Sequence, residues 1–281
     1  SISAFGQTGP LSKLPGYDYI AQAYAGITSM IGDPDGAPSI PLVGLGDAST
    51  GTHGALAVTS AMLYHARTGK GQHLDVNILE VYYSYHEVNV HQHIGSKGEI
   101  NPIRGGQHMS YVSPAGIYKA TNGYIMILAF MQHWKDLCTA MQRPDLIDHE
   151  IFGDDALRTE HRFDLVPIIE GWLQTFPDID SAMSVLNANG VPSGPILTVA
   201  ETVTAPHILE RGTLKTVDDP VAGKISFPRL PIRFSAFPQD PDFRAPKLGE
   251  HNAEILKSWL GKSDGEISEL EKKKIIQSKN A

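Results

Sequence analysis

The sequence predicts an α/β chain with a smaller α+β domain within it. Two observations carry this. Apolar residues return at helical spacing in several runs, and these alternate with short strand-like stretches. Asn122-Gly123 stands between two alternating runs, 116–120 and 124–128, which is a hairpin signal.

Taken in order, residues 1–16 run from a short strand into a Gly/Pro-rich turn at Gly6 to Pro10. Ile20, Ala23, Tyr24 and Ile27 predict a helix over 17–31, closed by the turn Asp33-Pro34-Asp35-Gly36. A second helix is expected from about Ser49 to Arg67, ending at Gly69-Lys70-Gly71 with a cation suited to its last turn. Gln72 to Asn77 alternates as a half-buried strand does, and Leu79 to His93 reads as helix. A Gly-rich connection, Gly95 to Gly106, precedes the hairpin. Residues 132–190 read as helices, clearest at Phe163 to Leu173 and Ile179 to Asn189. Val191 to Pro246 is rich in Pro and Gly with β-like pieces, notably Lys224 to Arg233, and Glu250 to Leu260 is a terminal helix. Composition shifts near 95–115 and 190–205 divide the chain. The expected parts are a large α/β domain at 1–104, a small α+β domain at 105–190, and a linker and C-terminal segment at 191–281.

With 281 residues, 41% of them hydrophobic, the chain can bury a substantial core. A formal charge of −8 argues against a nucleic-acid partner. One cysteine, Cys138, permits no internal disulfide and fits a reducing, cytoplasmic setting. It lies in an amphipathic run, where a buried structural thiol is the better reading. No apolar run is long enough to span a bilayer, so no membrane partner is expected. Ser1 to Phe5 lacks an initiator methionine and reads as a strand already under way, which suggests a fragment or a processed chain.

The residue most open to a chemical reading is Asp47, in Gly44-Leu45-Gly46-Asp47-Ala48-Ser49-Thr50-Gly51. Glycine lets backbone approach a ligand closely. The carboxylate there is either a helix cap or a nucleophile, because Ala48 to Thr50 leads into a helix. His86, Glu87, His91 and His93 cluster in sequence, but His86 and His91 are five apart and His91 and His93 two apart, so they do not share a helical face; no metal site is expected. No Gly-x-Ser-x-Gly elbow and no phosphate loop occur.

Several segments together resemble the class III CoA-transferases, the family of formyl-CoA transferase and the carnitine CoA-transferases. They are Ser3 to Pro10; Pro15-Gly16-Tyr17-Asp18 with Ala21-Gln22; Gly46-Asp47 with Thr50-Gly51; Arg67 to Gln72; Gly190 to Pro195; and Ala245 to His251. Each is short, and their order and spacing along the chain carry the match. The family's N-terminal nucleotide-binding-like segment has no counterpart in it.

The resemblance implies an enzyme that moves CoA between an acyl-CoA donor and a small carboxylic acid, with CoA as substrate and no permanently bound cofactor. Asp47 falls on the family's catalytic aspartate. Its carboxylate would attack the thioester to give a mixed anhydride, and CoA thiolate would convert this to an aspartyl-CoA thioester. The acceptor acid then repeats the exchange. Amides around Gly46 to Ser49 are candidate donors to the oxyanions formed. Pro15, Gly16, Tyr17 and Asp18 fall on a CoA-contacting segment, with Tyr17 beside the pantetheine arm or in the core. Ile78 sits where the family can touch CoA, with a plain core role the stronger reading. Gly105, Gly106 and Gln107 would correspond to a mobile glycine loop shielding the anhydride. By the same resemblance the 191–281 segment returns to the large domain, and because family members are interlocked homodimers, a homodimer is implied. The related α-methylacyl-CoA racemases carry Gly-His-Asp where this chain has Gly16-Tyr17-Asp18; tyrosine is a poor proton carrier near neutrality, which favours transferase over racemase. The remaining alternative is a non-catalytic fragment that dimerises without binding CoA.

Overall fold

The computed structural model describes residues 1–219, 221–236 and 245–277. Two units divide the chain, 1–196 and 197–281.

The first unit opens with β1 (Ile2–Ser3) and reaches α1 (Asp18–Tyr24). The helix predicted over 17–31 stops early: Gly26 takes φ +82, which interrupts the helix, and a short 3-10 turn, Thr28–Met30, follows. The next helix, α2 (Leu45–Thr68), starts four residues before the predicted Ser49. Glycine weakens helices, and Gly44 and Gly46 masked this start in the sequence. The helix ends as expected, with Gly69 at φ +71 donating its N–H to His65 O at 2.7 Å.

Only the last two residues of the predicted strand pair: β2 (Val76–Asn77) runs parallel to β1, with Ile2 opposite Val76. Asn77 then caps α3 (Ile78–Ser84), its side chain accepting from Glu80 N–H at 2.9 Å. The helix predicted over 79–93 is in fact two, α3 and α4 (Asn89–Gly95). Ala21 of α1, Ala25 just past its end, and Ile78 and Tyr82 of α3 form a small core. Gly46, Thr50 and Gly54, four apart on α2, are that helix's buried residues, whereas Leu56, Met62 and Leu63 are exposed.

The larger core lies further along. β3 (Ala115–Ala120) and β4 (Gly123–Leu128) form the predicted hairpin, with Ala120 opposite Gly123. Its turn is Thr121-Asn122, one residue earlier than predicted, and Gly123 has no positive φ. Gly123 serves packing instead: a Cβ there would lie 2.8 Å from Ile179 Cδ1. Helices α5 (His133–Ala140), α6 (Asp155–Glu160), α7 (Arg162–Leu173) and α8 (Ile179–Ala188) follow, and β5 (Ser193–Pro195) adds a third strand beside β4. Ile125, Ile127, Leu137, Leu165, Ile169, Leu173 and Leu186 are fully buried between sheet and helices. Each contributes roughly 1.5–3 kcal/mol of apolar burial. Cys138 sits among them with no exposure, the structural thiol its sequence context predicts.

The second unit contains α9 (Val199–Thr202), α10 (Pro206–Glu210), an antiparallel pair β6 (Leu214–Asp219) and β7 (Gly223–Pro228), α11 (Asn252–Leu260) and α12 (Asp264–Lys272). The β-like run at 224–233 corresponds to β7, and the terminal helix at 250–260 to α11. The run Lys272-Lys273-Lys274 suits the last turn of a helix by its charge, and α12 ends there, with Lys272 in its last turn and a capping box of Ser263 and Glu266 at its start. Within the Pro/Gly-rich stretch 191–246, residues 220 and 237–244 lie outside the described residues.

Candidate active site

Asp47 is the third residue of α2, whose N-cap, Gly44, offers no side chain to the helix. Other elements supply the acceptors. Gly46 N–H donates to Tyr82 Oη at 2.9 Å, and Asp47 N–H donates to Asp18 Oδ2 at 3.0 Å. Ala48 N–H turns back to Gly44 O at 3.2 Å. The expectation that these amides receive an oxyanion is therefore corrected: Gly46, Asp47 and Ala48 have already given theirs to protein acceptors.

Tyr82 Oη is the hub. It donates to Asp18 Oδ1 and accepts from Gln22 Nε2 at 3.0 Å as well as from Gly46. One donor and two lone pairs are then fully used. Gln22 Oε1 accepts from Thr28 Oγ1 at 3.0 Å. Burial, followed by the bond to Asp18, pushes the Tyr82 hydroxyl up to about 12, so it stays protonated and keeps its hydrogen on Asp18. Tyr82, Gln22 and Asp18 are all buried.

The Asp47 carboxylate stands apart from this network. It is exposed, and among the described residues it has no hydrogen-bond partner. It does not cap α2. Of the two sequence readings, the helix-cap role is the one the geometry removes.

The other expected site residues separate into two groups. Pro15, Gly16 and Tyr17 lead into Asp18. Gly16 passes so close to the end of β1 that a Cβ would lie 2.8 Å from Phe5 Cε2. Tyr17 is 80% exposed, which excludes its core reading. Ile78 is buried against Gly46, where a Cβ at 46 would meet its Cγ2 at 2.7 Å; the plain core role holds. Asp18, by contrast, has both oxygens committed to protein donors.

Gly105, Gly106 and Gln107 belong to a different corner, pinned to the 32–36 turn. Gly106 N–H donates to Gly32 O at 3.1 Å, and Arg104 Nε to Asp33 O at 2.7 Å, while Ile117 N–H donates to Gln107 O at 2.9 Å. Two cavities of about 600 and 670 Å³ share residues 105–108 as a common wall, with Asn89 and Gln92 of α4 lining the first. Asp47 lines neither. His108, in this wall, is buried beside Tyr118 with ring centroids 4.9 Å apart.

Three rings of the histidine cluster each meet a backbone carbonyl. The His86 ring meets Ala25 O at 2.8 Å, His91 meets Glu87 O at 3.0 Å and His93 meets Ile100 O at 3.0 Å. Among the described residues no three His, Cys, Asp or Glu converge on a metal position, and no helix is long and apolar enough to cross a membrane. Sequence reasoning missed Tyr82. Its signal was available: it sits one turn after Ile78 on a predicted helix, with a small partner, Gly46, to receive its ring.

A family model, CoA-transferase family III, matches residues 1–252. The chain is 30% identical over 275 residues to human succinyl-CoA:glutarate CoA-transferase, covering 96% of this chain and 61% of that protein. It is 34% identical over 262 residues to succinyl-CoA:mesaconate CoA-transferase of Haloarcula hispanica, covering 91% and 65%. Among solved structures, a CAIB/BAIF family protein from Brucella suis superposes with a TM-score of 0.75 at 31% identity, covering 90% of this chain and 65% of that one. The chain thus spans 61–65% of the length of these relatives.

Proposed function

The chain belongs to CoA-transferase family III, and from that premise we propose that it moves CoA from an acyl-CoA donor to a small carboxylic acid through Asp47. One observation carries the proposal: an exposed carboxylate with no hydrogen-bond partner among the described residues, on a helix start that other residues hold in place.

In the proposed sequence the Asp47 carboxylate attacks the thioester carbonyl, the C–S bond breaks, and CoA leaves as thiolate. The resulting mixed anhydride joins Asp47 to the donor acyl group. The thiolate attacks the Asp47 carbonyl, releases the donor as its carboxylate, and forms the aspartyl-CoA thioester. The acceptor carboxylate then displaces CoA from Asp47, and the thiolate takes the acceptor acyl group from the second anhydride, restoring Asp47. No proton carrier is needed beyond the carboxylates and the thiolate. Position and loss of water supply the rate, since a hydrated carboxylate is a weak nucleophile.

Pro15, Gly16 and Tyr17 face CoA in this reading, while Asp18 and Ile78 belong to the frame. The 105–107 turn, whose two cavities Asp47 does not line, takes no part in this reading. The names of the two relatives, which pair succinyl-CoA with glutarate or mesaconate, put dicarboxylic acids first among acceptors to try. Tyr17, where a racemase has histidine, speaks against the racemase alternative. A homodimer in the cytoplasm completes the proposal, and a monomeric mass by ultracentrifugation would remove the dimer from it.

The test is Asp47→Ala. Transfer should vanish with the fold intact, and the unaltered protein trapped during turnover should carry a CoA thioester mass on the peptide containing Asp47. Retained turnover in the variant would overturn the mechanism.

A further inference from the structure

We propose that Asp18 and Tyr82 are positioning residues that occupy the first amides of α2 and so leave the Asp47 carboxylate unbonded and available as a nucleophile. The inference rests on the reading of Asp47 as the attacking group and adds how the fold keeps it free.

The first amides of any helix lack intrahelical partners and draw in nearby acceptors. At five other helices of this chain the acceptor is local. Asn77, Asp154, Asp178, Thr198 and Ser263 each accept from first-turn amides of the helix they precede. A nucleophilic aspartate in a first turn faces the same pull. A carboxylate bonded to helix amides has its lone pairs engaged and its charge stabilised, and it attacks less readily.

At α2 the pull is satisfied from outside. The acceptor for Asp47 N–H lies 29 positions earlier, on α1, and the acceptor for Gly46 N–H lies 36 positions later, on α3. The two acceptors are joined by the Tyr82–Asp18 hydrogen bond, and Gln22, itself held by Thr28, fills the remaining site on Tyr82. Each oxygen of Asp18 takes one donor. Because Gly46 has no Cβ, the Tyr82 ring can come close enough to reach its amide. The network closes without using the side chain of Asp47.

Tyr82→Phe and Asp18→Asn test this, each in the otherwise unaltered protein. Both keep the side chain's shape and remove an acceptor or its charge. The expected result is a fall in kcat, and in the single-turnover rate of aspartyl-CoA formation, of about tenfold or more, with the KM for acyl-CoA unchanged and circular dichroism unaltered. A purely structural role would move KM and the melting temperature together and spare the kcat of the folded fraction; that pattern, or unchanged kcat in both folded variants, overturns the proposal. Should neither variant fold, Asp18→Glu decides by the same readout, because it keeps the charge and displaces the acceptor by one methylene. Turnover in Asp47→Ala would defeat the nucleophile reading itself. An inactive Asp47→Ala beside a fully active Asp18→Asn defeats this inference alone.

Discussion

Gly46 of α2 lies directly against the ring of Tyr82 of α3: a Cβ at position 46 would sit 2.8 Å from Cζ of that ring and 2.7 Å from Cγ2 of Ile78. Both neighbours are buried, so neither can move aside cheaply. Gly46→Ala should therefore destabilise the protein by about 1–3 kcal/mol, against a gain in helix propensity of about 1 kcal/mol. Gly54, two turns on, is the control. Its added Cβ would meet first the far end of Ile2, at 3.1 Å, which can swing away. Gly54→Ala should be neutral or slightly stabilising. Thermal melts of the two variants side by side check the contrast, and equal effects would mean that the Gly46–Tyr82 contact yields easily.

Asp47 contributes little to holding the fold. Its side chain is exposed and has no hydrogen-bond partner among the described residues. Asp47→Asn should change unfolding free energy by less than about 0.5 kcal/mol while reducing transfer by about a thousandfold or more. Denaturant midpoints and turnover measured on one preparation separate the two. A large loss of stability would mean that the carboxylate serves the helix after all.

Much of this architecture was legible in the sequence, and the departures have physical causes. Gly69 marked the end of α2, and Phe163 to Leu173 marked α7, because a left-handed cap and an apolar stripe are local signals. The start of α2 was not local: its amides are satisfied by residues of two other helices, so four glycine-weakened positions looked like loop. Gly123 misled for a related reason, since its lack of a side chain accommodates Ile179 rather than a turn. Asp47 stood out by its setting, but the group that frames it, Tyr82, resembled any core tyrosine until its hydroxyl had three partners.

Cys138 should be unreactive in the native protein. It has no exposed surface, and burial pushes its thiol up to about 12 from an ordinary 9.0. The thiolate is the reactive form, and at pH 8 the folded chain holds almost none. An aromatic disulfide reagent should label it only at the rate of opening, and immediately once the chain is unfolded. The same shift makes stability depend on alkali. A folded-state value above the unfolded one contributes stability that is complete below pH 9 and declines as pH rises from there toward 12. Replacing the thiol by Cys138→Ala should remove that part of the alkaline slope, at a separate and pH-independent penalty for the lost packing.

His108 should give the fold an acid-sensitive component. The ring is 9% exposed, packed edge-on against Tyr118 and near Phe163, and its Nδ1 is buried without a partner among the described residues. A proton there would bring charge into an apolar setting. Burial is the largest influence and lowers its pKa from the ordinary 6.5; Glu170 opposes this and Arg162 adds to it. The unfolded chain therefore binds the proton more readily than the folded one between the folded value and 6.5. Stability is complete above pH 6.5 and falls as the solution is acidified below it. Melting temperatures should drop from pH 7.5 to 5.5, and His108→Gln, which cannot titrate, should flatten that slope even though it lowers the plateau. Equal slopes in the two proteins would assign the acid sensitivity to other groups and leave His108 a packing residue alone. A flattened slope would tie the wall between the two cavities to the protonation state of a single ring.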